Sequence, residues 1–129
     1  MVFIMDCFQP YEIVTTPNVA IISHHYHHVG WGYGENLHCE VTIKYEERVS
    51  IVFEDFEVHK TKSCNADWLK VYDGDSSDSK MIGGKLCGQR KPKPMESTGN
   101  SMTLVFRSDA FAYVESGYMG FKIIASQKK

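Results

Sequence analysis

At 129 residues the chain is long enough to bury a core of its own and short enough to be read as one domain. A formal net charge of −2 argues against a general nucleic-acid binder, which would show a strongly basic face, and no apolar run approaches the roughly 18 residues that cross a bilayer. The hydrophobic fraction of 43% is that of an ordinary globular protein, so the elements can be sought by their periodicity.

The first segment, Met1 to Met5, is apolar but too short for a signal peptide, and it lacks a basic leader and a small-residue cleavage site. For a secreted chain the expectation is that the signal has been removed. The cysteines, Cys7, Cys39, Cys64 and Cys87, are widely spread and none has the C-x-x-C spacing of a zinc or redox motif. Two disulfides are the structural use for them, and four cysteines allow three pairings. A histidine cluster follows, with His24, His25, His27 and His28 around Tyr26. Histidine is the commonest transition-metal ligand and the natural proton switch, but Gly30-Trp31-Gly32-Tyr33-Gly34 comes next and argues for a solvated loop.

From there alternation with period two dominates. Cys39, Val41 and Ile43 fall on one face of a strand, with Glu40, Thr42 and Lys44 on the other. Val49, Ile51 and Phe53 repeat the pattern; Leu69 and Val71 alternate with Trp68, Lys70 and Tyr72. Met102, Leu104 and Phe106 alternate with Thr103, Val105 and Arg107, and Phe121 and Ile123 close the series. Turn-rich separators stand at Tyr33-Gly34-Glu35-Asn36, from Asp73 to Asp78, at Gly83-Gly84 and at Thr98-Gly99-Asn100. No sustained helical period appears, so the pattern predicts an all-β, antiparallel β-sandwich. Between the strands a basic run, Lys85, Arg90, Lys91 and Lys93, is spaced by Pro92 and Pro94. No G-x-S-x-G elbow, H-E-x-x-H or phosphate loop is present, and the cysteines have a structural use; the chain is not expected to be an enzyme.

Four segments carry a family resemblance. They are Cys64-Asn65-Ala66-Asp67-Trp68-Leu69-Lys70-Val71-Tyr72-Asp73-Gly74, Leu86-Cys87-Gly88, the run from Ser97 to Leu104, and Phe106-Arg107-Ser108-Asp109. Together they resemble the CUB domain, a module of secreted and cell-surface proteins found in complement proteases, tolloid-like proteinases and spermadhesins. The resemblance implies a jelly-roll-like sandwich with disulfides Cys7–Cys39 and Cys64–Cys87. Each would stabilise the fold by roughly 3 kcal/mol through loop closure. It also implies a single domain over 1–129, with its core at about 7–125, cut from a larger secreted or cell-surface protein. Its work would be extracellular, non-covalent recognition of a protein ligand or a neighbouring domain, with no nucleic acid and no membrane insertion.

Many CUB modules hold Ca²⁺ at a sandwich end with a glutamate and two aspartates. By resemblance Asp67 and Asp109 stand where the aspartates stand, and Tyr33 matches the supporting tyrosine. His59 occupies the glutamate position, and an imidazole nitrogen is a poor calcium ligand. Glu57, two residues earlier, is a substitute if the loop shifts. The other readings are a transition metal held by His59, Asp67 and Asp109, or aspartates that only bond backbone amides in their loops. Where the family has a serine two residues after the second aspartate, this chain runs Ala110, Phe111, Ala112, Tyr113.

Trp31, Phe111, Tyr113 and Tyr118 lie outside the clean alternation and are candidates for partner binding or for capping the core ends. Phe111 and Tyr113 would adjoin the two aspartates on one rim, with Glu54 or Asp55 if those loops converge. Two other readings keep the fold and move the function. One is a spermadhesin-like binder of sulfated glycans through Lys85, Arg90, Lys91 and Lys93. The other is a structural module docked on a neighbouring domain such as a protease, which predicts an exposed apolar patch and a calcium-independent fold.

Overall fold

The computed structural model describes residues 1–24, 33–34, 36–109 and 119–129. Its strands are β1 (Val2–Ile4), β2 (Tyr11–Val14), β3 (Val19–Ile22), β4 (His38–Lys44), β5 (Arg48–Glu57), β6 (Trp68–Asp73), β7 (Lys80–Leu86), β8 (Met95–Glu96), β9 (Ser101–Arg107) and β10 (Gly120–Lys128). Among the described residues the only helical turn is a 3₁₀ turn at Lys62–Cys64. One sheet has the order β1-β3-β10-β5-β8 and the other β2-β4-β9-β6-β7.

The alternating positions read from the sequence are the core. Cys39, Val41 and Ile43 of β4, Leu69 and Val71 of β6, and Met102, Leu104 and Phe106 of β9 are fully buried. They meet Val49 and Ile51 of β5 and Phe121 and Ile123 of β10 in one cluster. Removing each such large apolar side chain from water contributes roughly 1.5–3 kcal/mol. An edge-to-face contact of Phe106 with Phe121, 5.3 Å between ring centres, joins the two sheets at their middle strands.

Two features depart from simple antiparallel alternation. The edge pairs β1–β3 and β2–β4 are parallel, because the chain lays β1 on one sheet and then crosses to lay β2 on the other. The crossing is pinned by Cys7–Cys39 and by Glu40 N–H donating to the Asp6 carbonyl. The second departure is a bulge between β5 and β10: Lys122 pairs with Asp55, but Ile123 pairs with Phe53. The extra residue shifts the phase, so that Phe53 and Phe56, three apart, both point inward and pack edge to face at 5.8 Å. Strict alternation from Val49 would have put Asp55 inside.

The second disulfide, Cys64–Cys87, ties the segment after β5 to the end of β7, and both pairings are those implied by the resemblance. Beside it, Val58 and Gly88 exchange backbone hydrogen bonds of 2.9 and 2.7 Å. On the outer face of the first sheet, Val2, Ala20, Ile124 and Val52 form one cross-strand row. With Val2 59% and Val52 47% exposed, this is an apolar stripe open to solvent.

Candidate functional site

Strand register brings the predicted residues together. Trp68 of β6 and His38 of β4 both lie opposite Arg107 of β9. Asp67 before β6, Leu37 before β4, and Ser108 and Asp109 after β9 therefore emerge at the same end of the sandwich. Ser108 fastens this end: its hydroxyl donates to the Gly34 carbonyl at 2.7 Å and accepts from the Leu37 amide at 3.0 Å. The Asp109 carbonyl accepts from the Asn36 amide at 2.9 Å.

Asp67 is the buried centre of the site, with no exposed surface. One carboxylate oxygen accepts the Tyr33 hydroxyl at 2.5 Å and the other accepts the Asp109 amide at 2.9 Å. The Tyr33 oxygen in turn accepts the His59 backbone amide at 2.9 Å. Tyr33 is itself buried, held edge to face against Phe106 at 5.1 Å. A single buried carboxylate and its tyrosine thus join four segments: the residues before β4, the end of β5, the start of β6 and the end of β9.

Burial pushes the Asp67 carboxyl above its ordinary value of 3.8. The hydrogen bonds from Tyr33 and from the Asp109 amide pull it back, the Asp109 charge adds to the rise, and His59 opposes it. The two aspartates are therefore close enough to feel each other. His24 stands at the same end, its Nδ1 2.7 Å from the Ser23 hydroxyl and its ring edge-on to Tyr33 at 6.3 Å.

The remaining predicted residues divide. Glu57 is engaged elsewhere, accepting from the Met119 amide at 3.0 Å and from the Gln89 side chain at 3.4 Å. Glu54 pairs with Lys122 at 3.0 Å. Among the described residues no three His, Cys, Asp or Glu side chains gather at metal-binding distance. Lys85 donates to the Asn65 side chain at 3.2 Å, and Arg90, Lys91 and Lys93 are exposed on the segment after β7. Trp31, Phe111, Tyr113 and Tyr118, with Tyr26, His25, His27 and His28, lie outside the described residues. Ser108 was part of the motif, but its clamp on Gly34 and Leu37 was not foreseen; a serine beside an aspartate at a strand end was its one signal.

A family model described as "CUB domain" matches residues 7–123. Human cubilin is 34% identical over 92 residues, covering 70% of this chain and 2% of cubilin. The structure titled as the MASP-1 CUB2 domain bound to Ca²⁺ superposes with a TM-score of 0.70 at 27% identity, covering 88% of this chain and 96% of that one. The full extracellular region of zebrafish Gpr126/Adgrg6 superposes with a TM-score of 0.72 at 26% identity, covering 89% of this chain and 14% of that one. The chain thus spans a small fraction of cubilin and of the zebrafish protein.

Proposed function

The chain belongs to the CUB family, and from that premise we propose that it is a non-catalytic, extracellular protein-recognition module whose binding rim is the end of the sandwich built on Asp67. The observation that carries the reading is the Asp67–Tyr33–Asp109 arrangement, a buried carboxylate that accepts the Tyr33 hydroxyl and the Asp109 amide, with the Asp109 charge near enough to raise its pKa. A fold needs no fully buried carboxylate at a sandwich end for its own stability, since burying the charge costs free energy.

The residues fit calcium in part. Asp67 and Asp109 are hard oxygen donors from separate loops, and their mutual repulsion is what a divalent cation relieves. Tyr33 would hold Asp67 in place. The His59 ring adds nitrogen where a third carboxylate would add charge, and charge count tunes calcium affinity. The proposal is therefore a weak site, in the range of roughly 10⁻⁴–10⁻³ M found for extracellular modules. A bound ion would fix the rim and offset its negative charge, leaving the exposed part of Asp109 to meet a partner.

Calorimetric titration of metal-free protein with Ca²⁺ tests this. Asp109 makes its bonds to Asp67 and Asn36 through backbone atoms, so Asp109→Ala leaves that framework standing. Saturable heat in the parent chain and none in Asp109→Ala is the expected result. Equal heats in both, or none in either, would remove calcium from the rim.

A further inference from the structure

We infer that β1 is a pairing edge and that a second copy of this chain docks on it, strand against strand. Each sheet ends in two edge strands, and an unguarded edge is a template for further pairing. Three of these edges are guarded. β7 carries Lys80 and Lys85, Gly83 and Gly84, and a register shift against β6. β8 is two residues long, with its Glu96 held by Arg48 and Lys128. β2 follows directly on Pro10 and pairs its Glu12 with Lys44. β1 has no charge, no proline and no bulge, and no lysine or arginine occurs in the chain before Lys44.

Exposed apolar surface gathers at the same edge. Of the seven large hydrophobic side chains open to solvent among the described residues, five (Met1, Val2, Ile4, Phe8 and Val14) lie between Met1 and the end of β2. Scattered exposed hydrophobics are ordinary, whereas a cluster of them marks an interaction site. The turn after β1 is fixed by Asp6, whose side chain accepts the Phe8 and Gln9 amides at 2.8 and 3.2 Å. Phe8 is thereby presented on a framework that Cys7–Cys39 already pins.

Charge and register select the occupant. The Met1 carbonyl and the Met5 amide bond to β3, so Val2 and Ile4 turn their backbone groups outward. Among the described residues only the Tyr11 hydroxyl meets that side of β1, donating to the Ile4 carbonyl at 2.7 Å; the oxygen keeps a second lone pair. A two-fold axis at Phe3 sets two β1 strands antiparallel, with Val2 of each opposite Ile4 of the other. Each such pair can exchange both backbone hydrogen bonds. No charged side chain then faces its own kind, because the two Asp6 residues stand at opposite ends of the paired strands. Val2 meets Ile4 of the second copy on the outer face, where both side chains are exposed, in a cross-strand apolar pair. The row of Val2, Ala20, Ile124 and Val52 thus continues across the axis, and two five-stranded sheets become one. An edge without charge offers a charged foreign strand nothing to pair with, but it suits its own copy.

Sedimentation equilibrium, in EDTA so that the calcium rim plays no part, tests the inference. The interface is small, so the expected dissociation constant is on the order of 10⁻⁴ M. The apparent mass of the parent chain should rise from 14.7 kDa towards twice that value as its concentration is raised to about 1 mM. Val2→Lys/Ile4→Lys places like charges opposite each other and should stay monomeric throughout. Val2→Lys/Ile4→Glu should dimerise again, more weakly as salt rises, because the two-fold sets the introduced lysine of one copy opposite the introduced glutamate of the other. Val52→Lys, on the same outer face but away from the edge, should dimerise as the parent does. Near-UV circular dichroism checks that each variant is folded, and slowing of Val2 and Ile4 amide exchange with concentration reads the pairing in the parent chain itself. A parent chain that stays monomeric at about 1 mM would overturn the inference and leave the edge to a foreign strand. Dimerisation by Val2→Lys/Ile4→Lys, its absence in Val2→Lys/Ile4→Glu, or its loss in Val52→Lys would each overturn it too, the last in favour of stacked sheet faces.

Discussion

Asp67 links stability to pH with an unusual sign for an aspartate. Its folded pKa is raised by burial, so the folded state holds the proton over a range where the unfolded chain has released it. The stability from this group is fully present below the ordinary value of 3.8 and is lost as pH rises through the raised folded value. Urea unfolding of the parent chain and of Asp67→Asn between pH 3.5 and 7 should show it: the parent loses ground relative to the variant as pH rises. A parent that instead gains on the variant would mean Asp67 is held ionised by its partners, with the pKa lowered. At this scale the resemblance picked out Asp67, three residues after Cys64, Asp109, three residues after Phe106, and Tyr33, the position of the supporting tyrosine. The exchange of hydrogen bonds was not legible, since Tyr33 lies 34 residues from Asp67 and 26 from the His59 amide it receives.

At the scale of elements, the rim depends on how β10 begins. Gly120 has φ +77°, and an added Cβ would overlap the Ser23 hydroxyl and come within 2.9 Å of the Ser23 Cβ. That hydroxyl accepts the Phe121 amide and meets His24, so moving it aside gives up both contacts. Gly120→Ala should therefore cost about 2–3 kcal/mol, from the left-handed backbone and the crowding together. Denaturant unfolding measures it, and a cost under about 0.5 kcal/mol would show that Ser23 and β3 yield freely. The strands themselves were readable wherever one face is buried, as in β4, β6 and β9. The bulge was not read: Asp55 and Phe56 break the alternation that runs through Val49, Ile51 and Phe53, but only pairing with β10 reveals the skipped residue. The parallel edges were hidden for a similar reason: β1 and β2 are three and four residues long and carry no signal of direction.

For the whole molecule, a net charge of −2 averages over segments of opposite sign. The segment between β5 and β6 gives His59 and Asp67 to the rim and leaves Lys60 and Lys62 exposed between them. Read along the sequence, the run from Lys85 to Lys93 is four cations in a net-negative chain, and a solvated turn explains it. Lys60 and Lys62 are brought near it by the Cys64–Cys87 disulfide and the Val58–Gly88 bridge, tertiary facts that no local window contains. The outer apolar row of Val2, Ala20, Ile124 and Val52 is likewise assembled from four strands.

The central claim, that the rim around Asp67 is the calcium-assisted recognition site, is tested most directly by following backbone amide resonances while Ca²⁺ is added to metal-free protein. The account predicts saturable shifts at Asn36, His59, Asp67 and Asp109, complete by about 10 mM, with the β6–β7 turn at Asp73 to Asp78 unmoved. Shifts centred on that turn, or none at the rim over the same range, would contradict it.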